Sequence, residues 1–314
     1  MSASREEAQA SAADLRTANL SLHAELSVDY FELRSAEVQK QLLDDTVKVY
    51  TDALKLTRNR FVGGAAPKSN VAQAQTQLDG ARVQDTAITV MRAQYEHAIA
   101  TLIGKPPAEF NITPAPQIAL HLSVTPVGAP ASLLERRPDI SAGERRVAKA
   151  NDQIGIARAA FFPSPVLGAT GGFAGTSIMN WLNWPSRMWA VGPQLSQTIF
   201  DAGRRRAVSE GAIANYDGTL ASYRQTTLTA FQEVEVNLAA SRILENEAQR
   251  QRDATSSAEE SLQLVTNRYL GGVDNYLQVI TAQTVLPTNQ RNDIDIERRR
   301  RDASVLLVKA VGGG

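Results

Sequence analysis

A dense group of ionisable side chains stands at Glu135-Arg136-Arg137-Pro138-Asp139, two carboxylates and two guanidiniums within five positions. Such a group could serve as acid and base equipment. Placed at the start of a helical pattern, it reads instead as a structural ion-pair network. Imidazole chemistry is sparse. The three histidines, His23, His97 and His121, include no H-x-x-x-H or H-E-x-x-H spacing, so no local frame for a metal exists. His97, followed by Ala98, Ile99 and Ala100, reads as a polar residue on a packed helix. Without cysteine there is no disulfide framework, thiolate metal site or thiol nucleophile. The compartment stays open on that count, because a thiol-free chain suits oxidising and reducing spaces alike. Basic runs at Arg204, Arg205, Arg206 and at Arg298, Arg299, Arg300, Arg301 resemble nucleic-acid patches, yet Glu210, Asp293, Asp295 and Glu297 stand beside them. Over 314 residues, 33 Lys and Arg balance 33 Asp and Glu, which argues against a nucleic-acid partner. No enzyme, metal or cofactor is expected.

Long helices must position whatever the chain does. Eleven of the 13 prolines lie between Pro106 and Pro193, which leaves residues 1–66 and 194–286 free of the strongest helix breaker. Positions 15, 22, 29, 36, 43, 50, 57 and 26, 33, 40, 47, 54, 61 are apolar in ten of 13 cases, a coiled-coil seam. A helix from Ala3 to Val62 would be about 90 Å long at 1.5 Å per residue and needs neighbours of similar length. It should end at Phe61-Val62-Gly63-Gly64, where glycine supplies a left-handed cap, and Pro67 should open a return helix that runs to Ile103. No run of 18 apolar residues exists, and the first 30 residues are acidic and polar, unlike a secretory signal. Those two facts alone would make the chain cytosolic.

The chain repeats itself. Without gaps, residues 53–78 align with 261–286 at an offset of 208, and 11 of the 26 pairs are identical, including Asn59/Asn267, Arg60/Arg268, Gly63/Gly271 and Gly64/Gly272. A second arm from Ala202 to Leu270 and a return from Asn275 to Val311 follow, with Asp274 as the expected N-cap. Before it, residues 164–176 and 187–199 have few helix formers and a period of two, with Trp189, Val191 and Leu195 on one face. Strands of that length suit either a small soluble hairpin or a tilted crossing of a bilayer, where only closed barrels exist. Subtracting 208 from the strand pair would place its copy upstream of Met1, so the expectation is an N-terminally truncated molecule whose missing signal has the same cause.

These motifs resemble the outer-membrane factors, the TolC-like channels of tripartite efflux pumps, and within them the NodT-like branch of resistance-nodulation-division (RND) efflux outer-membrane lipoproteins. The resemblance rests on Ser132-Leu133-Leu134-Glu135-Arg136-Arg137-Pro138-Asp139-Ile140 and on Ala157-Arg158-Ala159-Ala160-Phe161-Phe162-Pro163. It rests also on Ile199-Phe200-Asp201-Ala202-Gly203-Arg204 and on Tyr269-Leu270-Gly271-Gly272-Val273-Asp274-Asn275-Tyr276-Leu277. It implies a mainly α fold with a small β part. Long antiparallel coiled-coil helices form an α-barrel, and a strand pair belongs to a transmembrane β-barrel shared by a homotrimer.

The expected layout is a first periplasmic hairpin at 1–105 with its tip at 63–67, and a linker with short equatorial helices at 106–163. The barrel strands lie at 164–200, and the second hairpin at 201–314 has its tip at 271–274. By the same resemblance the molecule is a passive conduit in the outer membrane with a periplasmic extension. Its implied partners are outer-membrane lipid, a periplasmic adaptor docking at the tips Gly63, Gly64, Gly271 and Gly272, and an inner-membrane RND pump. Leu277 matches the apolar member of the family's periplasmic constriction, while Thr281 stands where an Asp is usual, and Asp274 at the tip is the substitute acid. Trp181, Trp184 and Trp189 suit the interfacial girdle of a barrel. Arg204, Arg205 and Arg206 would mark the membrane boundary. The competing readings are a soluble coiled-coil scaffold or adaptor, which leaves the strands unexplained, and a non-functional remnant of the channel.

Overall fold

The structure, a computed structural model, describes residues 2–115, 136–174 and 184–313. Leu133, Leu134 and Glu135 of the signature, together with Trp181 and His121, lie outside the described residues. The chain is mostly helical with one small antiparallel sheet. Helix α1 spans Ser2–Val62 and α2 Lys68–Leu102; a 3-10 turn follows at Pro107–Glu109, and α3 spans Pro138–Ala159. Strands β1 (Ser164–Phe173) and β2 (Arg187–Ser196) flank a second 3-10 turn at Trp184–Ser186, and α4 (Arg204–Leu270) and α5 (Tyr276–Ala310) complete the order. Among the described residues, no helix is long and apolar enough to cross a membrane.

Both helix pairs turn by the same hydrogen bonds. At the first tip Ala65 N–H donates to the Arg60 carbonyl at 2.8 Å and Gly64 N–H to that of Phe61 at 3.0 Å; Val273 to Arg268 at 2.9 Å and Gly272 to Tyr269 at 3.1 Å repeat them. This paired arrangement satisfies the last helical carbonyls and needs a left-handed residue, supplied by Gly64 at φ 73° and Gly272 at φ 78°. The N-cap of α5 is Asn275 rather than the expected Asp274: the Asn275 side chain accepts from Gln278 N–H. Asp274 is engaged elsewhere, by Arg268.

The described residues fall into two compact units, each with its own packing, and α1 and α4 contribute to both. One unit joins the residues up to Asp14 with Asp139–Thr227. Its buried positions are alanines, Ala10 and Ala13 on α1 and Ala142, Ala150 and Ala157 on α3, so helix backbones approach closely. A Cβ on Gly143 would meet the Tyr223 ring at 3.1 Å. Around this small-residue seam, Arg145 pairs with Glu6 at 3.3 Å, Lys149 with Glu7 at 2.6 Å and Arg146 with Asp14 at 2.5 Å.

The other unit joins Leu15–Pro138 with Leu228–Gly314. Its largest cluster draws Tyr50 and Leu54 from α1, Ala74, Leu78 and Ala81 from α2, Tyr269 from α4 and Tyr276 and Val279 from α5. Both copies of the repeat thus share one core beside their tips. Smaller clusters gather Ala36, Leu43 and Ile88, and Val234, Leu307, Ala310 and Val311. The heptad seam of α1 is buried at Leu33, Ala36, Leu43, Tyr50, Leu54 and Thr57, but Leu15, Leu22 and Phe61 are exposed in the single chain. At those three positions the described residues leave the seam uncovered.

Candidate functional site

The strand pair is the least self-sufficient part of the molecule. Ten residues of β1 pair with ten of β2, from Ser164 opposite Ser196 to Phe173 opposite Arg187, and all twenty are exposed. The register sorts side chains by face, because directly opposed residues of an antiparallel pair project to the same side. One face carries the pairs Pro165/Leu195, Leu167/Pro193, Ala169/Val191, Gly171/Trp189 and Phe173/Arg187. The other carries Ser164/Ser196, Val166/Gln194, Gly168/Gly192, Thr170/Ala190 and Gly172/Met188. A bulky apolar band therefore backs onto a small and more polar surface. Each strand is about 33 Å long at 3.3 Å per residue, and nine to eleven tilted residues cross a hydrocarbon layer. A lone two-stranded ribbon is marginal in water.

Aromatic and basic groups mark the ends of this ribbon. Trp184 is 73 % exposed and carries the Arg187 guanidinium 4.0 Å from its ring centre, while Trp189 lies within β2 at 76 % exposure. After β2, Ala202 at φ 52° and Gly203 at φ 87° take left-handed backbone conformations just ahead of α4. Asp201 accepts from Gly203 N–H at 3.2 Å and from Arg205 through both its backbone N–H and its Nε, the latter at 2.6 Å. The Arg205 side chain holds the Asp201 carboxyl below its ordinary range, and its guanidinium lies 5.4 Å from the Phe161 ring centre. Arg206 pairs with Glu210 at 3.0 Å.

At the second tip, Asp274 accepts two hydrogen bonds from Arg268, at 2.7 and 3.1 Å, which lower its pKa. Its charge is thereby locally balanced. Leu277 and Thr281, one turn apart on α5, are both exposed, and the Thr281 hydroxyl donates to the Leu277 carbonyl at 3.0 Å. The first tip carries Gly63 and Gly64, with Val62 exposed beside them; the second carries Gly271 and Gly272 with Val273 exposed. His97 lies on the exposed side of α2, and its carbonyl accepts from Thr101.

The signature works as a clamp. Arg137 is buried and donates to the Glu233 carboxylate at 2.7 Å and to the Ala310 carbonyl at 3.0 Å. One acid partner, Glu233, lies 96 residues away on α4. Gly312 passes so close that a Cβ there would stand 3.0 Å from the Arg136 carbonyl carbon. Asp139 accepts from the Ile140 N–H at 2.9 Å, and Pro138 opens α3.

Two charge clusters escape sequence reasoning. Glu37, buried on α1, accepts from Arg34 at 2.7 Å, Arg92 at 3.1 Å and the Ala115 N–H at 3.0 Å. Arg92 also reaches the Ile112 carbonyl at 2.6 Å, and Glu96 accepts the Ile112 N–H, so the extended stretch at 110–115 is tied to α1 and α2. Opposite charges at i, i+3 beside apolar Leu33 and Ala36 were the available signal. On α5, Arg298 binds Glu32, Asp295 and Asp302, and burial pushes the Asp302 carboxyl up to about 6 against the pull of that arginine.

Comparison with known proteins agrees with this geometry. The family model described as Outer membrane efflux protein matches residues 1–105 and 129–313. A probable efflux pump outer membrane protein, SepC of Pseudomonas putida, is 36 % identical over 313 residues, covering 99 % of this chain and 65 % of its own length. The chain thus spans just under two thirds of that relative. A membrane protein from Pseudomonas aeruginosa superimposes with a TM-score of 0.94 at 34 % identity, covering 100 % of this chain and 70 % of that one. The outer membrane protein VceC of Vibrio cholerae superimposes with a TM-score of 0.91 at 26 % identity, covering 100 % of this chain and 75 % of that one. The chain belongs to the outer membrane efflux protein family.

Proposed function

We propose that this chain is a subunit of an outer-membrane channel serving a tripartite RND-type efflux pump, and that it carries drugs or other small molecules outward without covalent chemistry. The observation that carries the reading is the two-faced ribbon: an apolar band of Leu167, Val191, Leu195, Trp189 and Phe173 backed by a small, polar surface. Alternation of that kind over ten residues suits a strand with lipid on one side and a watery lumen on the other. Closure demands strands from other copies, because an open edge in hydrocarbon leaves backbone groups unsatisfied. A homotrimer would bring strands of different copies together and would also cover the exposed seam residues Leu15, Leu22 and Phe61.

In this reading the hairpins at 1–105 and 201–314 line a periplasmic tunnel, and the segment at 106–163 forms its equatorial region. The Gly63-Gly64 and Gly271-Gly272 tips receive a periplasmic adaptor that joins the channel to the inner-membrane pump. Leu277 narrows the tunnel near its tip end. Thr281 and the Arg268-paired Asp274 add little negative charge there, so cation preference at that level is weak.

The test is to express the chain from its own locus, separate the membranes, cross-link intact cells and record conductance in planar bilayers. Recovery in the outer membrane as a trimer with a stable conductance is expected, together with lost efflux on deletion. A soluble monomer with no conductance overturns the reading.

A further inference from the structure

Helix α5 contains a proline in its interior, Pro287. Proline lacks an N–H, so the carbonyl four residues earlier, that of Gln283, loses its intrahelical donor, and the ring pushes it aside. The structure supplies a replacement from the other copy of the repeat: the Tyr50 hydroxyl donates to the Gln283 carbonyl at 2.7 Å in a buried position. Burial raises the Tyr50 phenol above its ordinary pKa, so it remains a donor at any physiological pH. Among the described residues, defect and remedy occur together and only once. The repeat equivalents of Pro287 and Tyr50 are Asp79 and Ala258, and α2 runs without an interior proline.

The surroundings leave room for movement. A cavity of about 220 Å³ adjoins Pro287, with Thr46, Tyr50, Gln77, Gly80 and Ala81 on its wall. Further ties hold the same part of α5 to α2: Gln77 donates to the Ile280 carbonyl at 3.2 Å and Arg291 to the Gln84 side chain at 2.8 Å. Thr284 and Thr288 return their hydroxyls to carbonyls one turn back, which favours bending.

We propose that Pro287 is a hinge in α5 and that the Tyr50 hydroxyl is its latch, a positioning contact that holds residues 276–286, and with them Leu277 and Thr281, in the arrangement described here. Breaking the bond to Gln283 leaves that carbonyl unsatisfied and loosens the stretch about Pro287, while the ties of Gln77 and Arg291 to α2 remain. The consequence for conduction rests on the channel reading above; the hinge itself does not.

Hydrogen–deuterium exchange on the whole chain tests the hinge. Tyr50→Phe removes one hydroxyl and no other atom, and amides within 276–286 should exchange about tenfold faster, as expected for a buried carbonyl left unsatisfied, with α2 distant from the bend unchanged. Pro287→Ala returns an N–H to Gln283, so adding Tyr50→Phe to that background should change exchange by less than about twofold. Unchanged exchange in Tyr50→Phe, or equal acceleration in both backgrounds, overturns the latch. In planar bilayers Tyr50→Phe should lengthen the higher-conductance state, and Pro287→Ala should cancel that effect. Identical conductance of wild type and Tyr50→Phe in an open-competent pore overturns the link to gating. Absence of any conductance in wild type defeats the channel reading, and the exchange comparison still decides the hinge.

Discussion

Arg60 and Tyr269 join the two copies of the repeat: the guanidinium lies 4.4 Å from the ring centre and donates to the Tyr269 carbonyl at 3.5 Å. Arg268, the repeat equivalent of Arg60, instead stays within its own tip and binds Asp274. Sequence explains the difference, because Ala66 stands where the second copy has Asp274. With no acid in its own tip, Arg60 is free to cross. Arg60→Ala should therefore cost about 1 kcal/mol, the worth of a partly exposed cation–π contact, in urea unfolding. Ala66→Asp should draw Arg60 back into its own tip and weaken protection of the Tyr269 region in hydrogen exchange.

Charge balance at the second tip makes a selectivity prediction. Asp274→Asn should lower the cation preference of the pore, since it leaves the Arg268 guanidinium unbalanced. Thr281→Asp and Arg268→Ala each add an unbalanced negative charge near Leu277 and should raise it. Reversal potentials in asymmetric KCl decide the matter, and an unchanged preference in all three variants would contradict this account.

Glu37 holds three donors in a buried site, so its removal leaves two guanidiniums facing one another. Breaking a buried ion pair from one side costs about 3–5 kcal/mol. Glu37→Ala should lower the urea midpoint accordingly and open the stretch at 110–115 to proteolysis. Glu37→Gln, which keeps an acceptor, should be intermediate.

The Asp302 carboxyl titrates near 6 in the folded chain, above its ordinary 3.8. A raised folded-state pKa means that the folded chain holds the proton more tightly than the unfolded one. The associated stability is complete below 3.8 and is lost as pH rises through 6. Lowering pH from 7.5 to 5 should stabilise this unit by about 1 kcal/mol through Asp302, against the usual acid trend. Arg298 also pairs with Glu32 and Asp295. Melting curves of wild type and Asp302→Asn across that window should differ in slope, with the variant flatter.

Face assignment in the ribbon predicts an asymmetry between neighbouring positions. Val191 lies on the apolar face and Ala190 on the other. Val191→Arg should cost about 2–4 kcal/mol near the membrane midplane and sharply reduce outer-membrane recovery, whereas Ala190→Arg should insert and alter conductance. Equal recovery of both variants would contradict the assignment.

Local rules were legible in the chain alone. The spans of α1, α2 and α4 followed from where proline is absent, since one proline in a helix interior outweighs many weak propensities, whereas α5 runs through Pro287. Both tips followed from paired glycines, because only glycine enters the left-handed turn without strain. The strands emerged in the expected places but stop at Phe173 and Ser196, three residues short of the anticipated ends at 176 and 199. Boundary errors of that size arise because a ladder ends where its partner ends. The N-cap moved by one residue, from Asp274 to Asn275, because Arg268 competes for the aspartate.

Pairings across large sequence separations were another matter. That Pro287 orphans the Gln283 carbonyl follows from covalent structure, yet nothing in the sequence names Tyr50, 233 positions earlier, as the donor. Arg137 likewise finds Glu233 only once the segment before α3 packs on α4, and Arg60 finds Tyr269 only once helices from both repeat copies lie side by side. Periodicity and turn chemistry act within a few residues and so determined the helices, the tips and the ribbon. Which buried donor meets which acceptor depends on helix register and rotation, quantities that exist only after packing, and that choice belonged to the tertiary structure.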